Sequence, residues 1–243
     1  MRCFLNIGNT HTQILYIAPD RLNFSDTVNT ADFSPEMIHL DELSFIGAAC
    51  VVERLFPVLK DIGAHMVTPE AASRFVDFSA VDTSTLGQDR VANAVYLAAQ
   101  ARLPAVSLDF GTCITAEVVD ARKRFLGGAI FPGRSLTRRA LNLYTSKLPL
   151  VDLADELPPC PAANTVDAIR AGTDAAAVDA VAGFLARLEK VLGCRPAVFA
   201  CGGDAPFFAA QPELSGMIRT ENSLTLAGLE ILFPCSGRNA NNA

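Results

Sequence analysis

Apolar residues in this chain come in short runs closed by glycines or polar turns, and the runs change character along its length. Residues 3–7, 13–18 and 22–28 are β-prone runs that predict three strands joined by tight turns. Residues 44–49 predict a further strand, 51–60 a helix, and 65–68 another strand. Residues 79–88 are polar, rich in turn formers and without an apolar period. A helix rich in Ala, Val and Leu is predicted over 89–102, stopped by Pro104. The plan then starts again, with strands at 105–109, 113–119 and 125–131 followed by helices. The stretch 164–193 has apolar residues at helical spacing, with Gly172 and Gly183 as candidate interruptions. Residues 196–201 predict a buried strand ending at Gly202-Gly203, residues 224–233 a last helix, and the tail 237–243 a frayed, disordered end.

Two of these runs are near copies. Phe4-Leu5-Asn6-Ile7-Gly8-Asn9-Thr10 and Ser107-Leu108-Asp109-Phe110-Gly111-Thr112 each close a hydrophobic strand with Asp or Asn, an apolar residue, glycine and threonine. Each is followed by a second β-prone run, at 13–17 and 114–119. A repeat at this distance predicts a duplicated domain, an α/β chain of two similar halves, 1–103 and 104–236. Glycine lets the backbone turn tightly and approach a ligand, while the Thr hydroxyl and neighbouring N–H groups suit phosphate oxygens. Two such turns predict a nucleotide site.

Composition narrows the class. Of 243 residues, 50% are hydrophobic and 19% charged, enough apolar material for a substantial core. The acidic balance, pI about 5.1, argues against a nucleic-acid partner. The start shows no signal peptide and no apolar run reaches membrane-helix length, so a cytoplasmic protein away from membranes is expected. Seven scattered cysteines without a C-x-x-C pair, and three isolated histidines, predict reduced thiols and no zinc site. The Asp109-Phe110-Gly111 tripeptide lacks the other protein-kinase segments, and neither a Walker A nor a G-x-G-x-x-G sequence is present.

The order of the polar segments is more specific than any one of them. Gly8-Asn9-Thr10 is followed by Leu86-Gly87-Gln88-Asp89-Arg90, then Asp109-Phe110-Gly111-Thr112, then Gly127-Gly128-Ala129-Ile130-Phe131-Pro132-Gly133. Asn164-Thr165, Cys201-Gly202-Gly203 and Leu224-Thr225-Leu226-Ala227-Gly228-Leu229 complete the series. The series resembles the type III pantothenate kinases of bacteria, in the superfamily of acetate and sugar kinases, actin and heat-shock chaperone ATPases. Their segments read D-x-G-N-T, G-x-D-R, D-x-G-T, G-G-x-I-x-P-G, N-T and T-G-G. The resemblance implies a duplicated ribonuclease-H-like, actin-like ATPase fold with a nucleotide cleft between the halves. It implies ATP-dependent phosphorylation of pantothenate, the first step of coenzyme A biosynthesis, with Mg²⁺ and a monovalent cation, K⁺ or NH₄⁺, and a homodimer.

The resemblance also implies roles. Asn6, Gly8, Asn9, Thr10, Gly111 and Thr112 would bind the nucleotide phosphates, and Gly202 and Gly203 would line the adenine. Asp109 would help hold the metal ion or the monovalent cation. Asp89 would be the general base, with Gly87, Gln88, Asp89, Arg90 and Thr165 around pantothenate. The residues allow plainer readings too. Asp89 suits a helix N-cap, and a helix opening there would favour its ionised form. Arg134, Arg138 and Arg139 suit either phosphate charge or a solvated helix face. Ala92, Val95, Tyr96 and Ala99 read as core or subunit packing.

Three positions depart from the family pattern: Asn6 for Asp, Glu117 for Asp, and Cys201 for Thr. The Asn6 amide removes a negative charge from a place where Mg²⁺ favours anionic oxygen. A kinase with altered metal affinity is therefore expected. A regulator of the Bvg accessory factor type and a chaperone- or actin-like ATPase are the alternatives.

Overall fold

A computed structural model describes residues 1–18 and 23–234. Leu22, where the third strand was expected to begin, and the tail from residue 237 lie outside the described residues. The chain divides into two compact units. The first takes Met1–Ala101, Arg122–Leu126 and the chain from Ser223 onward, and the second takes Arg102–Ala121 and Gly127–Asn222.

In the first unit, β1 (Arg2–Ile7), β2 (His11–Ile17), β3 (Asn23–Asn29), β4 (Phe45–Cys50) and β5 (His65–Met66) form one sheet. Its order is β3-β2-β1-β4-β5. β1 runs antiparallel to β2 and parallel to β4, with Asn6 opposite Gln13 and Ala49. Helices α1 (Phe56–Asp61), α2 (Pro69–Ala72) and α3 (Gln88–Ala98) complete its chain order before the second unit begins. The predicted 89–102 helix thus starts one residue early and stops at Ala98.

In the second unit, β6 (Ala105–Phe110), β7 (Cys113–Val119) and β8 (Phe125–Pro132, from Gly127 on) precede helices α4 (Arg134–Tyr144) and α5 (Thr165–Arg170). A π-turn over Ala171–Ala175 joins α5 to α6 (Ala176–Leu192). Gly172 therefore marks a change of winding rather than a stop, and Gly183 lies inside α6. β9 (Ala197–Cys201), α7 (Ala205–Ala209) and β10 (Ile218–Thr220) follow, and α8 (Leu224–Leu232) then belongs to the first unit again. The second sheet has the order β10-β9-β6-β7-β8. β6 runs antiparallel to β7 and parallel to β9, as β1 does to β2 and β4. Matching β1 to β6, β2 to β7, β3 to β8, β4 to β9 and β5 to β10 makes the two strand orders identical. The duplication expected from the two copied runs is therefore a duplication of topology.

Each sheet has its own core. Leu5, Ile7, Ile14, Ile46 and Leu59 pack in the first. Val106, Leu108, Phe110, Val181, Leu185 and Phe208 pack in the second, with the Phe110 and Phe208 rings stacked at 4.0 Å between centroids. The last helix, α8, packs on α3 and β1 in the first unit, although its sequence position places it after the second sheet. A buried Thr225 hydroxyl donates to Asn93 Oδ1 at 2.9 Å, and Gly228 of α8 lies against the Ala92 carbonyl, so α8 and α3 pack closely.

Candidate active site

The first turn is built by β1 and β2 and braced by β3. Gly8 N donates to His11 O at 3.0 Å, closing the turn around the exposed Asn9 and Thr10. Thr30, just past β3, is buried; its hydroxyl donates to Gly8 O at 2.7 Å and its N–H to Thr10 O at 2.8 Å. Thr12 Oγ1 lies 3.0 Å from Thr30 Oγ1, and Arg54 donates to Thr30 O at 3.1 Å. These bonds fix the two turn carbonyls inward. Thr30 was not singled out by the sequence, because nothing local in it signals a contact twenty residues away.

The second turn repeats the closure. Gly111 N donates to Cys113 O at 3.0 Å, around Thr112 alone, so this turn is one residue shorter. Gly133, the N-cap of α4, donates its N–H to Thr112 O at 3.0 Å. The Pro-Gly pair thus seats the start of α4 against the phosphate-type turn.

Asp109 is the next-to-last residue of β6, opposite Thr115, as Asn6 is the next-to-last of β1, opposite Gln13. Its carboxylate lies over Gly202. A Cβ on Gly202 would stand 2.5 Å from Phe110 O and 2.7 Å from Asp109 Oδ1, and its φ is +95°. Only glycine meets both constraints without strain. Asp204 N donates to Phe110 O at 3.1 Å, so the Gly202-Gly203-Asp204 turn wraps the end of β6. Glu117 lies on the same face of the sheet but is buried, receiving the Ser107 hydroxyl at 2.5 Å.

Asp89 sits in the first turn of α3, and the N-cap is Gly87. The capping reading of Asp89 is thereby corrected: its Oδ1 accepts from the N–H of its neighbour Arg90 at 2.8 Å. A Cβ on Gly87 would fall 2.5 Å from that oxygen, so the glycine leaves room for the carboxylate. Burial pushes the Asp89 carboxyl above its usual range, against the opposing pull of the Arg90 N–H and guanidinium. The expectation that the helix end favours the ionised form is overturned, because desolvation outweighs it. A half-buried carboxylate with a raised pKa is suited to taking up a proton. Gln88 Oε1 accepts from Cys50 N at 3.0 Å, tying the start of α3 to the end of β4. Its acceptor oxygen faces its own chain. Burial raises the nearby Cys50 thiol as well.

Thr165 opens α5 and is exposed; Asn164 caps the helix, accepting from Asp167 N at 2.9 Å. Gly203 is exposed at the end of its turn.

Arg134 and Arg138 are neither phosphate-facing nor solvated. They are 2% and 1% exposed and share the fully buried Asp174 of the π-turn. Arg134 Nε donates to Asp174 Oδ1 at 3.0 Å and its Nη1 to Asp204 Oδ1 at 3.4 Å, with its guanidinium 3.4 Å from the Phe207 ring centroid. Arg138 donates to Thr173, Asp174 and the carbonyls of Val151 and Asp152. Arg139 alone is exposed. The pair joins α4, the π-turn and the Gly-Gly-Asp turn through buried charge, a role sequence spacing cannot reveal because Asp174 is 36 residues beyond Arg138.

Among the described residues no group of three or more His, Cys, Asp or Glu side chains is arranged to hold a metal ion by itself. Six cysteines, among them Cys113 and Cys201, are in no disulfide. Among the described residues no helix is long and apolar enough to cross a membrane.

The family description for type III pantothenate kinase matches residues 3–187. A type III pantothenate kinase from Rubrobacter xylanophilus is 31% identical over 271 aligned positions, covering 97% of this chain and 98% of that protein. One from Desulforapulum autotrophicum is 31% identical over 166 positions, covering 68% of this chain and 63% of the relative. One from Anaeromyxobacter sp. (strain K) is 40% identical over 147 positions, covering 60% of this chain and 57% of the relative. Among solved structures, a Campylobacter jejuni protein described as a Baf family transcriptional activator covers 95% of this chain at TM-score 0.62 and 19% identity. The activator of the 2-hydroxyisocaproyl-CoA dehydratase from Clostridium difficile covers 95% at TM-score 0.52 and 12% identity. These structural likenesses show the fold, a duplicated ribonuclease-H-like one of the actin-like ATPase and sugar kinase class. With the family description matched over most of its length and a relative aligned end to end, the chain belongs to the type III pantothenate kinase family.

Proposed function

We propose that the chain transfers the γ-phosphoryl group of ATP to the primary hydroxyl of pantothenate, giving 4'-phosphopantothenate and ADP, the step that opens coenzyme A biosynthesis. The observation that carries this reading is the doubled strand-and-turn, with Gly8–Thr10 and Gly111–Thr112 at matching places in the two sheets of a family member. Phosphoryl transfer asks for positioning and charge more than for covalent chemistry. The two turns supply backbone N–H and threonine hydroxyl groups for phosphate oxygens. Asp89 accepts the hydroxyl proton as the new O–P bond forms and the bond to the β-phosphate oxygen breaks. Its burial keeps that carboxylate basic enough to do so. Arg90 and Thr165 belong to the pantothenate side, and Gly202 and Gly203 to the adenine side. Gln88 joins that site through its hold on β4.

The donor chemistry fits a divalent ion shared with the nucleotide: Asp109 offers anionic oxygen at a turn, and Mg²⁺ needs only one or two carboxylates beside phosphates. Bound there, the ion would neutralise charge on the phosphoryl group. A potassium or ammonium ion belongs to the same reading. We assign the protein to the cytoplasm and to a homodimer. The exposed Leu143 and Tyr144 at the end of α4, 75% and 83% accessible, and the exposed Leu150 and Leu153 after it support a second copy as the cover of that face. The test is an assay of ATP-dependent pantothenate phosphorylation with Mg²⁺ and K⁺ or NH₄⁺, read by mass spectrometry of the product. Absence of product under every cation condition refutes the reading.

A further inference from the structure

β1 and β6 are the same strand in the two copies, yet their equivalent last polar positions differ in charge: Asn6 in one, Asp109 in the other. The amide of Asn6 is held at the end of a chain of hydrogen bonds that starts at the α8 cap. Leu226 N donates to Ser223 Oγ at 3.2 Å as part of the α8 cap. The Ser223 hydroxyl donates to Gln13 Oε1 at 3.0 Å. That same oxygen receives Asn6 Nδ2 at 2.9 Å. Gln13 therefore presents an acceptor to position 6, and an amide answers it. An ionised carboxylate there would face that acceptor unless the Gln13 amide turned its Nε2 toward it and gave up the bond from Ser223. The matching position in the second copy is Thr115, not a glutamine. Asn6 Nδ2 carries a second hydrogen, with no partner among the described residues, on a half-buried side chain two residues before Gly8.

We propose that Asn6 gives the nucleotide triphosphate a neutral, metal-independent hydrogen-bond donor, oriented by Gln13 and Ser223. The proposal rests on the kinase reading and specifies its nucleotide site. A donor at position 6 attracts phosphate oxygen directly. A carboxylate in its place repels the triphosphate unless a cation stands between them.

The test is calorimetric binding of the imido analogue of ATP, which cannot transfer its terminal phosphate, in excess EDTA and in saturating magnesium. The proteins are the original chain, Asn6→Asp, Asn6→Ala and Gln13→Leu, each checked for folding by circular dichroism. The readout is the ratio of the two dissociation constants. Asn6→Asp is expected to raise that ratio about tenfold or more, chiefly by losing affinity in EDTA. Asn6→Ala and Gln13→Leu are expected to weaken binding about 2- to 10-fold in both conditions and leave the ratio unchanged, as loss of a neutral hydrogen bond does. They carry the test if Asn6→Asp does not fold. An unchanged ratio in Asn6→Asp, or a loss in Asn6→Ala confined to magnesium, overturns the proposal. A folded original chain that binds the analogue in neither condition refutes the kinase reading itself.

Discussion

Replacing Asp89 by Asn separates the catalytic from the local structural role of this residue. The change is nearly isosteric and keeps a carbonyl oxygen able to accept from Arg90 N, the 2.8 Å contact of the wild-type side chain. Gly87 provides the N-cap, so no cap is lost. Stability at neutral pH is therefore expected to hold within about 1 kcal/mol of a retained hydrogen bond. The sign of any change follows from the raised carboxyl pKa. A carboxyl that binds its proton more tightly folded than unfolded destabilises the fold as pH rises from the unfolded pKa through the folded one. The Asp89→Asn change removes that penalty, so the variant should be as stable as the original protein or slightly more so at neutral pH. The difference should vanish below the ordinary Asp range. Activity is expected to fall about 10²–10⁴-fold, the contribution of a positioned general base. In the original enzyme the acid limb of kcat/KM should lie above the ordinary Asp value, and the residual activity of the Asp89→Asn variant should lack that limb. The assay is a steady-state pH series with thermal melts at matched pH. Turnover at the original rate, or an unshifted acid limb, would refute the base assignment.

Three further outcomes follow from the same geometry. Gly202→Ala forces a positive φ and a contact with Phe110 O, so its melting curve should report a loss of about 1–3 kcal/mol. It should also weaken magnesium-dependent nucleotide binding, because the added carbon meets Asp109 Oδ1. Arg138→Met strands the buried Asp174 beside Arg134 and is expected to cost about 3–5 kcal/mol in urea denaturation; a change under about 1 kcal/mol would show that the network is not structural. Thr30→Val removes the hydroxyl bond to Gly8 O but keeps the shape, so a loss of about 1 kcal/mol and weaker nucleotide affinity are expected, with the KM for pantothenate unchanged.

Local chemistry made much of this protein legible before folding is considered. β-prone runs closed by Gly8 and Gly111 form strands and turns where they stand, since turn and strand preferences act over a few residues. The repeat of those runs carried the doubled topology, and the order of the segments carried the family. Tertiary structure decided what depends on distant partners. Arg134 and Arg138 have the spacing of a solvated helix face, but Asp174 and Asp204 make burial tolerable. Asp89 stands where a helix end favours its charge, yet the packing around it desolvates the carboxyl and reverses the shift. Asn6 differs from Asp109 by a substitution any alignment of the two runs reveals, but its meaning lies in Gln13 and in Ser223, 210 residues beyond Gln13. The same is true of α8, which follows the second sheet in the chain and packs on the first. Each segment's own residues set what it prefers alone; burial and charge compensation depend on which segments meet, and only the folded chain sets that.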